Sequence, residues 1–197
     1  MYSNITASIQ DIPLRLDLES MQILEETLGV NWQKDLLTYD YDKLTTVFYI
    51  LMKEGQRYYS YKGKTLNYTE ITEETTYFVI SKYKRKELYR FLIDFFQQCL
   101  LTEEDIKRIE SEQDMELYRI KKVRGNESEE NKKTNFARYY YIAQSKFNLS
   151  MTEASFLLLV DWKALYKEYK DNFDRELCLT LTGKTYSQLE KENNFVN

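Results

Sequence analysis

Any chemistry in this chain would have to come from carboxylates, hydroxyls and amines, because its 197 residues include no histidine and only 2 cysteines. The missing imidazole removes the base of Ser-His-Asp and Cys-His machinery and the commonest ligand of catalytic zinc and iron. Two cysteines cannot build a Cys₄ centre or a multi-bridge secreted framework. Gly63-Lys64-Thr65 and Gly183-Lys184-Thr185 echo a phosphate-binding loop. Such a loop needs a glycine five positions earlier to curl its amides round a phosphate, and those positions hold Tyr58 and Cys178. Both triplets read as turns.

Carboxylates can hold magnesium or calcium without histidine. Asp161, Glu168 and Lys170 follow the D…E-x-K order of metal-dependent nucleases, but that chemistry presents its ligands from strands and these residues fall on an amphipathic helix. Glu103, Glu104 and Asp105 sit where a helix begins, as do Asp40 and Asp42, and negative charge there complements the helix dipole. There is no D-x-D-x-D-G calcium loop. No cofactor or metal is expected.

Basic and aromatic residues interleave in Arg57-Tyr58-Tyr59-Ser60-Tyr61-Lys62, Tyr83-Lys84-Arg85-Lys86 and Arg138-Tyr139-Tyr140-Tyr141. Such runs could stack bases and follow phosphates. With 28 basic against 32 acidic side chains and a net charge of −4, half-core tyrosines with solvated cations are the favoured reading. The 18 tyrosines suit half-wet surfaces that meet partners, but codon usage in an AT-rich genome is the favoured explanation. The longest apolar run, Ala154 to Val160, is too short to span a bilayer, and the N-terminus has no signal-peptide pattern. Cys99 and Cys178 are expected to be reduced, buried thiols of a cytoplasmic protein.

The elements that would carry these residues are mostly helical. Ile12, Leu14 and Leu16 alternate with Pro13 and Arg15 as in a short strand, which Pro13 would confine to an edge. Asp17 caps a helix with Leu18, Met21, Leu24 and Leu28 on one stripe, and Gly29 stops it. A second helix follows Asp40, carries Leu44, Val47, Phe48 and Leu51, and is expected to end at Gly55. Thr69 to Tyr83 mixes helix-start acids with β-branched and aromatic residues and is read as helix. Lys86 to Leu101 is the clearest helix, with Leu88, Phe91, Leu92, Phe95, Phe96 and Cys99 on a broad apolar face. Thr102 to Val123 continues as a charged helix with a thinner stripe. Arg124 to Thr134 contains no apolar residue and reads as a linker or a solvated loop. Beyond it lie a helix with Phe136, Tyr139, Tyr140, Ala143 and Phe147, a Ser150/Glu153 capping box, and an amphipathic stretch with Trp162, Leu165, Tyr166, Tyr169 and Phe173. Thr185 and Gln188 form a further cap signature.

The expected fold is mainly α. A helical domain with a small N-terminal β element spans residues 1–123, a polar linker spans 124–134, and a smaller helical C-terminal region spans 135–197.

The succession IPLRLDLESMQILEETLGV (Ile12 to Val30), LTTVFYILMKEG (Leu44 to Gly55) and LNYTEITEE (Leu66 to Glu74) resembles the N-terminal region of the tail assembly chaperones of long-tailed bacteriophages and gene transfer agents. YYIAQSKFNLSMTEASFLLL (Tyr140 to Leu159) resembles the extra C-terminal region of the longer chaperone form. The likeness lies in pattern and covers about two-thirds of the chain; the tyrosine load and the charged stretch Thr102 to Val123 depart from it.

The resemblance implies a protein without covalent chemistry that keeps the tape measure protein soluble and recruits tail tube protein through its C-terminal region. It also implies action in the cytoplasm of the infected bacterium and absence from the mature virion, with self-association open. In such phages the long form commonly arises by ribosomal frameshift near the linker. On this view Leu88, Phe91, Leu92, Phe95 and Phe96 are candidate contacts for the tape measure, since wide apolar helix faces accept partner helices. Tyr139, Tyr140, Phe156 and Trp162 are candidate anchors for the tail tube. Core packing is the competing role for each. The alternatives are a structural virion or adaptor protein, and a nucleic-acid-binding regulator using Tyr58 to Lys64.

Overall fold

A computed structural model describes residues 6–64, 70–100 and 133–182. They form a mainly helical structure with one small antiparallel hairpin. The expected helix over Thr102 to Val123, most of the polar stretch 124–134, and the turn and cap at 183–188 lie outside the described residues.

The hairpin joins β1 (Ala7–Ile9) to β2 (Ile12–Leu14), with Ser8 opposite Pro13. Gln10 and Asp11 both take positive φ, 50° and 64°, as a two-residue loop of the twist-matched hairpin type requires. The alternation at Ile12 to Leu16 predicts a single strand here, and β1 pairs with it as a second. Arg15, although on the polar phase of that strand, is fully buried.

Asp17 caps α1 (Leu18–Leu28) by accepting from the Ser20 amide at 3.0 Å, and Gly29, at φ 93°, ends it. A short α2 (Trp32–Asp35) and a 3₁₀ turn (Leu36–Thr38) lead to α3 (Tyr41–Tyr61), capped by Asp40. The helix runs straight through Gly55, correcting the expected stop there. A Cβ at that position would collide with the Pro13 carbonyl, so the glycine lets helix and hairpin backbones approach. Arg15 N–H donates to the Leu51 carbonyl at 3.0 Å and fastens the same contact.

In α4 (Glu73–Ile80) a Thr72/Thr75 capping box and burial of Thr76, Val79 and Ile80 override β propensity. Then come α5 (Arg85–Leu100), α6 (Phe136–Phe147), α7 (Met151–Ser155) and α8 (Leu159–Thr182). Asn148, in the left-handed conformation at φ 56°, terminates α6, and the Ser150/Glu153 box starts α7 as its spacing foretold.

Phe136, Tyr140, Ala143, Ala154 and Leu157 belong to the same continuous core as Leu24, Phe48 and Leu92. Residues on both sides of the polar stretch therefore share one hydrophobic interior. Among the described residues no helix is long and apolar enough to cross a membrane.

Candidate partner-binding site

The broad apolar stripe of α5 faces inward. Leu88, Leu92, Phe95 and Phe96 are buried, and Phe91 is half-buried. Phe96 meets the edge of Trp32 at 5.5 Å between ring centres, and Phe91 stacks on Phe48 at 6.2 Å. These five candidate contacts form part of the chain's own core, so they offer little surface to a partner while it is folded. Cys99 completes that stripe as a buried free thiol whose pKa is pushed up to about 12, chiefly by burial.

The four C-terminal candidates divide. Tyr140 and Phe156 are buried, whereas Tyr139 and Trp162 are half-buried and face each other across α6 and α8. Trp162 Nε1 donates to the Tyr139 carbonyl at 3.2 Å, and the two rings meet edge to face at 4.7 Å. From Trp162 an aromatic ladder continues along α8 to residues outside the predicted anchors. Trp162 stacks on Tyr166 at 5.0 Å with an interplanar angle of 13°, Tyr166 meets Tyr169 at 6.5 Å, and Tyr169 stacks on Phe173 at 6.3 Å. The i, i+4, i+7, i+11 spacing puts all four on one side of α8. Tyr166 and Phe173 remain 37% and 51% exposed, which marks the outer part of the ladder as accessible.

Between α6 and α8 lies an open groove of about 380 Å³, lined by Thr134, Arg138, Tyr139, Ile142, Trp162 and Tyr166. Its walls are predominantly apolar and aromatic, with Arg138 at the rim. Lys146, in the last turn of α6, lies 5.5 Å from the centre of the Tyr169 ring.

On the far side of Tyr140 a charged cluster ties these helices to the rest of the molecule. Arg15 Nη2 donates to the Phe156 carbonyl at 2.5 Å, its Nε lies 3.4 Å from Asp17, and its guanidinium sits 3.6 Å over the Tyr58 ring. Arg57 bonds Glu54 at 2.7 Å, approaches Glu19 at 3.5 Å and Ser155 at 3.3 Å, and lies over the Phe156 ring at 4.3 Å. Burial raises the pKa of Asp17, against the pull of its Ser20 bonds and Arg15. Burial, then the nearby Asp17 charge, raises Glu54 to about 7 against the opposing pull of Arg57. Tyr140 is raised by burial and by the charges of Glu19 and Asp17, and its hydroxyl has no hydrogen-bond partner among the described residues. Arg15 and Asp17 are sealed in the interior, while Arg57 and Glu19 reach the surface, so the cluster runs from the core to the rim and holds these elements together.

The basic–aromatic run at the end of α3 is similarly engaged. Tyr58 lies under Arg15, Lys62 lies over the Tyr58 and Tyr61 rings, and Lys64 lies over Tyr59. Each of these rings thus has a cation of the same chain near one face, and Tyr61 stays exposed. Asp161 and Glu168 fall on α8, and among the described residues no group of three or more acidic or cysteine side chains could hold a metal ion. No family model matches the chain, and no curated protein or solved structure matches it either.

Proposed function

We propose that the protein is a non-enzymatic bacteriophage tail assembly chaperone that holds the tape measure protein soluble and recruits tail tube subunits through its C-terminal helices. The accessible aromatic groove between α6 and α8 is the observation that supports this reading, because rigid aromatic anchors in an open apolar groove suit protein recognition. The pattern resemblance of Ile12 to Glu74 and Tyr140 to Leu159 supplies the identity of the partners. Tail tube protein engages the groove at Tyr139, Trp162 and Tyr166. With the α5 stripe inside the core, the tape measure is left the α4 shoulder, where Tyr77 and Phe78 are exposed beside Ile12, Ile71 and Val79. The chaperone works in the cytoplasm of the infected bacterium and is absent from the mature virion.

Affinity capture of the full chain from lysate during particle production, read by mass spectrometry beside purified virions, tests the reading. Tape measure and tail tube proteins should be recovered, and the chain should be missing from virions. Stoichiometric presence in virions would make it a structural or adaptor protein. Salt-sensitive retention of nucleic acid in place of tail proteins would make it a regulator.

A further inference from the structure

The net charge of the chain is −4, yet the surroundings of the aromatic groove are cationic. Helix α6 carries Arg138 and Lys146 and no acidic residue at all. On α8, at about 100° per residue, the charged residues within a quarter turn of the ladder between Trp162 and Phe173 are Lys163 and Lys170. Glu168 and Asp171 lie farther round, towards the back of the helix. Lys163 donates to the Leu100 carbonyl at 2.9 Å, which places its ammonium where α5 ends beside α8. Lys146 is held against the Tyr169 ring. The apolar seam is thus bordered by cations alone on α6 and by Lys163 and Lys170 along one side of α8, with Asp161 and Asp174 next to the two ends of the ladder.

From this juxtaposition we infer that the groove docks an amphipathic partner helix whose apolar stripe is flanked by acidic residues. Apolar side chains enter between Tyr139, Ile142, Trp162 and Tyr166, while carboxylates on either side meet Arg138 and Lys146 on one wall and Lys170 on the other. Opposed charge at the rim selects the partner and speeds encounter, and the aromatic floor supplies most of the holding. A second copy of this chain is a poor occupant, since its own seam would bring lysines against lysines. The inference deepens the reading of the groove as the recruitment site and rests on it for the biological partner.

Two designed helical peptides test it on the full chain, both with leucine at the a and d positions. One has glutamate and the other lysine at e and g. Binding is followed through Trp162 fluorescence, as the other tryptophan, Trp32, is buried. The acidic peptide should bind at least tenfold more tightly, and raised salt should erode that preference. Tyr166→Ala should weaken it about tenfold with no change in melting temperature, and the double reversal Arg138→Glu with Lys170→Glu should transfer preference to the basic peptide. Equal binding of both peptides, or binding of neither, overturns the inference. So does concentration-dependent dimerisation through position 166, or a cross-link from position 166 to residues 101–132 that excludes both peptides. Peptide selection without capture of tail proteins would overturn the chaperone reading and leave the groove chemistry standing; capture with no peptide selection would do the reverse.

Discussion

The Arg15 guanidinium donates to the Phe156 carbonyl at 2.5 Å across 141 positions of sequence. It brings with it the Asp17 carboxylate at 3.4 Å and the Tyr58 ring at 3.6 Å, all out of contact with solvent. Beside this bond, the Leu18 amide donates to the Leu157 carbonyl at 3.0 Å, so the first turn of α1 is completed by residues from the other end of the core.

Replacing Arg15 with Met would leave the Asp17 charge and the Phe156 carbonyl buried without their cation. Breaking one member of such a pair costs about 3–5 kcal/mol. Urea unfolding of Arg15→Met should show a loss of that size; a loss below about 1 kcal/mol would mean that the pair is not a fastening.

Around Arg57 three carboxylates, Asp17, Glu19 and Glu54, face two guanidiniums, so the cluster carries an excess negative charge when fully ionised. Glu54, raised to about 7, keeps a proton in the folded chain that the unfolded chain releases near its ordinary value of 4.5. Its contribution to stability is therefore fully present below about 4.5 and is lost as pH rises through about 7, and the raised Asp17 acts in the same direction. Urea midpoints at pH 5 and pH 8 should differ less in Glu54→Gln than in the parent. An unchanged difference would place the titration elsewhere.

Gly55→Ala should destabilise the chain by about 1–3 kcal/mol or more, because the obstacle is the Pro13 backbone and not a side chain that can swing aside. Thermal melting checks it, and a neutral or stabilising result would show that α3 and the hairpin can separate freely.

Phe95→Asp and Tyr166→Glu should separate packing from recognition. Phe95 is 2% exposed, so losing its ring costs about 3–5 kcal/mol even before the carboxylate is buried, and circular dichroism should show a chain unfolded or close to it. Tyr166→Glu should melt like the parent and lose tail tube binding. A folded Phe95→Asp chain would mean that the α5 stripe is surface after all.

Most helices could be read from the sequence because their apolar residues recur at helical spacing and their caps are chemically distinctive, as at Asp17, Asp40 and Ser150. β1 could not, since Ala7-Ser8-Ile9 has weak strand character and its turn uses Gln10-Asp11 with no glycine. Gly55 misled because its purpose is set by Pro13, some forty positions away, and not by its neighbours. The stripe of α5 was correctly seen as apolar, but periodicity reports that a face is covered without saying by what. Tyr139 and Trp162 could be read as aromatics on helix faces, but not that they pack against each other. The accessibility of Tyr166 and Phe173 was not legible either, because it depends on where the other helices stop covering α8.

The bond from Arg15 to Phe156 also sets a clock for synthesis. At a translation rate of about 5–20 residues per second, the N-terminal strand and α1 wait roughly 7–30 s for residues 156 and 157 to be made. During that interval the nascent chain holds Arg15 without its carbonyl, α1 without the cover of α7, and α5 without that of α8. A ribosome-bound intermediate of this protein is thus a sticky, half-closed vessel, and the last third of translation is what seals it.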